Sequence, residues 1–399
     1  MNLVNEQNYT TTPLWNVIGI LNGTIPDEVI VIGNHRDAWI AGGAGDPNSG
    51  SAALNEVIRA FGVAVAGGWT PQRTLVFASW DGEEYGLVGS TEWVEEYLPW
   101  LSSSIIAYIN VDVGALGDRF HTAAAPLLNT AIRDIVDAIP SPNQTVPGQT
   151  VGDLWSRHIA TMGSGSDFTA FQDFAGIASI DVAFGNDAAI APVYHYHSNY
   201  DSEAWMEKYG DPTFEYHRVI AQVIALLAAK LGEEAVVAFN ATEYASGLAS
   251  YLRSIETLAS EHEVDVTAFS GLRKAIAAFA ATSIDFDAEA AALASLAAVA
   301  ASSPSLLTTQ EKKAVYARVH AVNTKYKLLE RRFLYAPGLD SRTWFKHVVF
   351  APGLWTGYAG ATFPGIVEAV EEGDEEGVGK WVRIVKDAVG RAEGLLGGR

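Results

Sequence analysis

Up to about residue 230, short β-rich runs alternate with helical patterns: WNVIGIL, EVIVIGNH, a helix from about Ser51 to Ala64, RTLVFASW, a helix from about Leu87 to Tyr97, then IIAYINVDV. Such alternation leaves few folds open, because each strand has to bury its apolar side chains under helices laid on the sheet. It predicts an α/β unit whose sheet is mixed, mostly parallel and sandwiched by helices. From about residue 231 strand signal almost vanishes, and long Ala-, Leu- and Glu-rich helical patterns take over, such as EEAVVAFNATEYASGLASYLRSIETLASEH and DAEAAALASLAAVAASS. Those patterns predict an all-α bundle. Two domains follow, 1–230 and 231–399, with the boundary near Leu231-Gly232.

Charge narrows the function classes. Acidic residues outnumber basic ones 47 to 26, for a formal charge of -21, which repels phosphate backbones and anionic lipid surfaces. Nucleic acid is excluded as a natural partner. No apolar run reaches the roughly 18 to 20 residues of a membrane span, and MNLVNEQNYTTTPLWNVIGIL lacks the sections of a signal peptide. This chain is therefore expected to make no membrane contact of its own. Without cysteine there are no disulfides and no thiolate metal ligands. Sequons at Asn8, Asn22, Asn143 and Asn240 point to a secretory or vacuolar route.

In an open α/β sheet, chemistry gathers at the carboxyl ends of the strands. VIVIGNHRD ends one strand with His35, Arg36 and Asp37; FASWDGEE ends another with Glu83 and Glu84; YINVD ends a third with Asp112. Asp46 sits in AGGAGDPNSG, where DPNS is also a good helix cap, and His197 sits in VYHYHSNY. Two histidines and several carboxylates from separate strand ends match what a pair of zinc ions requires, since imidazole and carboxylate suit zinc and a carboxylate bridges two ions. Adjacent side chains on extended backbone diverge, so Glu83 and Glu84 are expected to face different partners. Asp81 is expected to be a structural residue of the turn.

Taken together, GNHRDAW, DPNSGSAALNEVIRAF, RTLVFASWDGEEYGLVGSTEWVEE, AYINVD, GSGSDF and YHSNYDS resemble the motif set of the di-zinc exopeptidases, nearest the glutamate carboxypeptidase II and transferrin-receptor branch. RTWFKHVVFAPGLWTGYAGATFPGI resembles that branch's C-terminal dimerisation domain, and the resemblance runs from about Thr12 to Gly394. It implies two zinc ions per chain held by His35, Asp46, Glu84, Asp112 and His197, with Asp46 bridging. His35 and Asp112 would complete one site, Glu84 and His197 the other. Glu83 would be the general base, Tyr196 a transition-state hydrogen-bond donor, and Asp37 a carboxylate orienting His35. His195 competes with His197, and the Tyr-His-Ser order favours His197. Substrate contacts are implied at Tyr358, Gly165 and Ser166.

The resemblance also implies a peptidase of carboxypeptidase type acting on small peptides as a homodimer, in a membrane-anchored protein whose catalytic part is lumenal, vacuolar or extracellular. Non-catalytic receptor-like members and aminopeptidases are the alternatives. Two departures weaken a preference for acidic C-terminal residues: Gly357 stands where the glutamate-specific relative has lysine, and Ile180-Asp181-Val182-Ala183 has no arginine where that relative has several. Relatives carry an apical domain before the segment that begins here, so a more open zinc edge and weaker activity are expected. Glu92 and Glu95 match half of a calcium site in that branch, and are expected here to be solvent-facing charges.

Overall fold

Ile30 and Ile32 point to one side of their strand, Val29 and Val31 to the other, and all four are buried. A strand that hides both faces has to lie inside a sheet covered twice. The computed structural model describes residues 1–187, 189, 191–303 and 306–398, and it places this strand centrally. Six strands, β1 (Val17–Leu21), β2 (Ile25–His35), β3 (Arg73–Trp80), β4 (Ile105–Asn110), β5 (Arg119–Ala124) and β6 (Ala178–Gly185), form one sheet in the order β1-β3-β2-β4-β6-β5. The inner four run parallel, and the edge strands β1 and β5 pair antiparallel with β3 and β6. The sheet is thus mixed and mostly parallel, as the alternation predicts.

Helices cover both faces. In chain order they are α1 (Asn48–Ala66), α2 (Val88–Glu96), α3 (Leu98–Ser104), α4 (Asn129–Ala138), the short α5 (Val151–Leu154) and α6 (Glu203–Trp205), and α7 (Glu215–Glu233). Ile30, Ile32, Leu75 and Phe77 pack into the core that holds α1, α4 and α7. On the opposite face Val29, Val31, Val76 and Trp80 meet Val94 of α2 and Leu101 of α3, together with Phe171.

Beyond α7 come α8 (Ala241–Glu261), α9 (Ser270–Ser302), α10 (Thr309–Leu329), α11 (Pro364–Glu371) and α12 (Glu375–Gly397). The buried residues of α9 are Leu272, Ile276, Phe279, Ser283, Phe286, Ala290, Leu293, Ala297 and Ala300. They recur at alternating steps of four and three, the spacing of a coiled-coil seam, and this seam packs inside the chain's own bundle. Thr308 begins α10 with a reciprocal capping box to Glu311. Asn240, one of the sequon asparagines, uses its side chain to cap α8. One ladder interrupts the helices where the sequence shows almost no strand signal: β7 (Phe350–Pro352) pairs with β8 (Gly360–Thr362).

Polar side chains tie the sheet to the helices that follow it. Arg73, fully buried, donates to Glu28 Oε2 at 2.7 Å and to the carbonyls of Leu231, Glu234 and Ala235. Glu92 and Glu95 are both exposed, as their helical spacing suggests; Trp344 stacks on Phe174 and donates Nε1–H to Glu95 Oε1 at 2.6 Å, so Glu95 is solvent-facing and also bonded to the helical half. Replacing Arg73 with methionine strands the Glu28 carboxylate in a dry interior, which costs about 3–5 kcal/mol. The urea midpoint of Arg73→Met should fall accordingly, and Glu28→Gln/Arg73→Met should recover part of the loss. A single-variant midpoint equal to wild type would remove this pair from the account of stability.

Candidate metal centre

All five predicted ligand positions converge at one edge of the sheet. His35 closes β2, Asp112 lies two residues past β4, Asp46 sits just before α1, and Glu84 follows β3. His35 Nε2 lies 2.9 Å from Asp112 Oδ1 and 3.2 Å from Asp46 Oδ1. His197 Nε2 lies 3.2 Å from the other Asp46 oxygen and 3.1 Å from Glu84 Oε2. Two triads, His35–Asp46–Asp112 and Asp46–Glu84–His197, therefore share Asp46, and within each the potential ligand atoms lie inside 4.8 Å of one another. His195 points elsewhere and packs its ring on Tyr200.

The geometry fits cations better than it fits the side chains alone. Each imidazole Nε2 faces two carboxylate oxygens, yet one N–H serves only one of them well. Asp46 Oδ1 is buried and forms no hydrogen bond. Burial alone would make His35 less basic, but the surrounding carboxylates of Asp112, Asp37 and Asp46 outweigh it and drive its pKa far up. Burial, reinforced by Asp112, pushes the Glu83 carboxyl up to about 9. Burial and the neighbouring charge of Asp46 push Glu84 up to about 7. A cluster that strains to hold protons is asking for positive charge, and oxygen and imidazole donors in this ratio suit zinc.

Backbone clamps set these side chains. The stretch from Glu83 to Gly86 is a turn rather than extended chain, entered through Gly82 at φ 70°, so the separation of Glu83 from Glu84 does not come from strand alternation. It comes from Asp37, whose two carboxylate oxygens accept the N–H groups of Glu83 (3.1 Å) and Glu84 (3.2 Å). His35 is oriented at Nδ1 chiefly by the Asp37 carbonyl, 3.0 Å away, with the Asp37 carboxylate at 3.7 Å. Glu84 Oε1 takes the N–H of Trp39 at 3.1 Å, which leaves Oε2 for His197. Asp81 accepts the N–H of Trp15 and pairs with Arg36, the structural role expected of it.

Asp201 is a clamp that the sequence reading missed. Its oxygens accept the N–H groups of Gly45 (2.7 Å) and Asp46 (3.0 Å) and the hydroxyl of Tyr194 (2.9 Å), which fixes the loop carrying the shared carboxylate. Asp46 itself caps no helix; α1 starts without a side-chain cap. His197 holds φ at 54°, a left-handed value that non-glycine residues adopt at a cost. Its ring is stacked on Tyr196 with centroids 3.6 Å apart.

Around the triads opens a cavity of about 840 Å³ bordered by Trp39, Glu83, Asp112, Asp181, Tyr196 and Tyr358. A second branch of about 500 Å³ shares Asp112, Asp181, Tyr196 and Tyr358 and adds His158, Thr161 and Ser166. Tyr358 reaches the cleft from the loop between β7 and β8, whose carbonyl accepts the Ser164 N–H at 3.1 Å. Gly165, at φ 97°, lies against the Tyr358 ring so closely that a Cβ would fall 2.6 Å from it. The three expected substrate contacts, Tyr358, Gly165 and Ser166, thus meet in one place. Asp181 and the buried Asp167 also belong to this acidic edge, and burial pushes each up to about 7. A lone charged residue inside the apolar run ASIDVAF was the available sign of Asp181.

Residues 16–211 match peptidase family M28, and residues 267–397 match the transferrin receptor-like dimerisation domain. A probable glutamate carboxypeptidase of Arthroderma benhamiae is 41% identical over 406 residues, covering 99% of this chain and 53% of that protein. Aminopeptidase NAALADL1 of Mus musculus is 32% identical over 393 residues, covering 92% and 50%. Among solved structures, a zinc aminopeptidase from Bacillus subtilis is similar at a TM-score of 0.42 and 18% identity, covering 55% of this chain and 50% of that one. The chain spans about half the length of these curated relatives.

Stripped of metal, the centre has a testable pH signature. Glu83 and Glu84 keep protons in the folded chain that they release near 4.5 when unfolded. The stability they contribute is therefore complete below about 4.5 and is lost as pH rises through about 7 and then about 9. The melting temperature of chelator-treated protein should fall from pH 6 to pH 9, with a shallower fall in Glu83→Gln. Identical slopes in the two proteins would mean that Glu83 titrates normally.

Proposed function

The stretch 16–211 belongs to peptidase family M28 and the stretch 267–397 is a transferrin receptor-like dimerisation domain, and from that premise we propose that the chain is a metallopeptidase, a di-zinc exopeptidase that cuts small peptides near their C-terminus. The observation that carries this reading is the shared Asp46, held by two imidazoles that each face a further carboxylate. His35, Asp46 and Asp112 would hold one ion and Asp46, Glu84 and His197 the other. Bound zinc would supply Lewis acidity and a water acidic enough to attack at neutral pH.

The remaining work falls to side chains of this chain. Glu83, coordinating nothing in either triad, takes the proton of the attacking water and hands it to the leaving amine. Burial and the Asp112 charge hold the proton on Glu83 in the bare chain; cations in the triads would offset that neighbouring charge and free the carboxylate to accept a proton and return it. Asp37 acts by holding the Glu83–Glu84 turn rather than by touching substrate. The Tyr196 hydroxyl, which borders the cleft beside Tyr358 and is protonated at neutral pH, donates to the carbonyl oxygen as negative charge develops there. Tyr358, Gly165 and Ser166 seat the peptide. We further propose that the chain works as a homodimer through its helical half, where Ile284, Leu296 and Val299 stay exposed opposite the buried seam of α9.

A second reading, an aminopeptidase, rests on one feature of the cleft: among the described residues that line it there is no lysine or arginine to receive an α-carboxylate. A relative named as an aminopeptidase accords with that reading.

Elemental analysis of the zinc-equilibrated chain should give about two zinc ions per chain, falling in His35→Ala. Glu83→Gln should keep its zinc and lose about 10²–10⁴-fold in turnover. Zinc-loaded wild type that cleaves no peptide in a broad panel would return the chain to a receptor-like role. C-terminal amidation should block cleavage if the carboxypeptidase reading holds, whereas N-acetylation should block it for an aminopeptidase. Light scattering at micromolar concentration should report twice the chain mass.

A further inference from the structure

Five carboxylates border the two branches of the cleft: Asp46, Glu83, Glu84, Asp112 and Asp181. Four of them have work assigned under the peptidase reading, as metal ligands or as the general base. Asp181 has none. It sits on β6 directly opposite Asn110 of β4 in the sheet register, where its neighbours along the strand, Ile180 and Val182, are fully buried. The side chain between them turns out of that apolar layer to the junction of the two branches.

A built network holds it there. Trp80 Nε1–H donates to the Tyr108 hydroxyl at 2.9 Å, and that hydroxyl donates to Asn110 Oδ1 at 2.9 Å. The orientation of the Asn110 amide is thereby settled, so Nδ2 donates to Asp181 Oδ1 at 2.8 Å and to Ser166 Oγ at 2.9 Å. One Asp181 oxygen is thus engaged and the carboxylate is presented in a fixed pose. No lysine or arginine among the described residues borders either branch; His158 and His197 are their only basic side chains, and His197 faces Asp46 and Glu84. Once cations neutralise the triads and Glu83 serves the attacking water, Asp181 remains as the cleft carboxylate with no partner of opposite charge. A half-buried carboxylate without a counter-charge favours a ligand that brings one.

We propose that Asp181 is a specificity-determining residue that receives a cationic group of the peptide, either the side chain of lysine or arginine next to the scissile bond or a free α-amine. This rests on the peptidase reading and sharpens it from small peptides in general to peptides carrying positive charge at the bond. The branch beyond Asp112, about 500 Å³ with Ser166, Thr161 and Tyr358 along its walls, has room for a long side chain. Its aromatic and methylene-tolerant surfaces suit the stem of a lysine while Asp181 takes the ammonium.

The test compares kcat/KM of zinc-loaded wild type and Asp181→Asn on dipeptides that carry lysine, norleucine or glutamate on either side of the bond, free and N-acetylated. Asparagine keeps an oxygen for Asn110 and removes only the charge. Ratios are read within each protein, so a uniform loss of activity does not count. Wild type should prefer lysine to norleucine by about tenfold or more, chiefly in KM, and Asp181→Asn should bring the ratio near one. If the α-amine is the source, acetylation should instead cost wild type that factor and Asp181→Asn nothing. Unchanged ratios across the whole set in Asp181→Asn would overturn the assignment while leaving the peptidase standing. Calorimetric binding of the same peptides to Glu83→Gln decides the matter without turnover: equal affinity for lysine, norleucine and acetylated peptides also overturns it. Should wild type cleave none of them and still bind the cationic peptide selectively, the peptidase reading fails and the Asp181 site stands.

Discussion

Negative charge packed into the carboxyl edge of one sheet is the constraint that the rest of this molecule serves. A buried carboxylate without a partner costs several kcal/mol, and here Asp112 presses on Glu83, Asp167 and Asp181 while Asp46 presses on Glu84. Such a cluster persists only where the surrounding fold leaves it nowhere to go. The two apolar layers of the sheet supply that rigidity, since β2 and β4 are buried on both faces. Strands clamped in this way bring His35, the last residue of β2, and Asp112, two residues past β4, to within 2.9 Å of each other.

Loops deliver the other members of the two triads, and the loops of Glu84 and Asp46 are each held by a carboxylate that belongs to neither triad. Asp37 gathers two N–H groups from the Glu83–Glu84 turn, and Asp201 gathers two from the loop of Asp46. Ser49 closes the same loop against its neighbour, donating to the Gly45 carbonyl and accepting from the Gly114 N–H. Charge-assisted hydrogen bonds from backbone to carboxylate are strong and directional, so they suit the placing of ligands better than packing does. Acids therefore play two parts at this edge: one set faces the cleft, and a second set turns away to hold the backbone beneath the first.

Much of this was legible because strand ends are legible. An apolar run that stops at His35 or Asp112 announces both the strand and the polar residue that closes it, and hydrophobic alternation predicted the layers and the mostly parallel sheet. Backbone hydrogen bonding was not legible. The turn after Trp80 depends on acceptors supplied by Asp37, more than forty residues earlier, and no local pattern near Glu83 reports that. Asp201 was hidden for the same reason, as it acts across 156 residues on Gly45. Helix α1 starts at Asn48, earlier than its apolar periodicity suggests, because the first turn packs Ser49 and Gly50 against the segment after β4 rather than against the core. The β7–β8 ladder escaped notice because three residues per strand are too few to show an alternation.

That small ladder changes how the two halves of the chain relate. Tyr358 belongs by sequence to the part read as helical, yet it forms a wall of the cleft, and its loop is bonded to Ser164 and pressed against Gly165. Trp344 reaches Glu95, and Arg331 donates to the carbonyls of Leu101 and Ile105, so the contact is not confined to one loop. A helical half that only joined two copies of the chain would have no reason to enter the cleft. Because it does enter, any shift of the bundle against the sheet moves Tyr358 relative to Tyr196 and Asp181, and so alters the space offered to a ligand. The helical half is therefore part of the site.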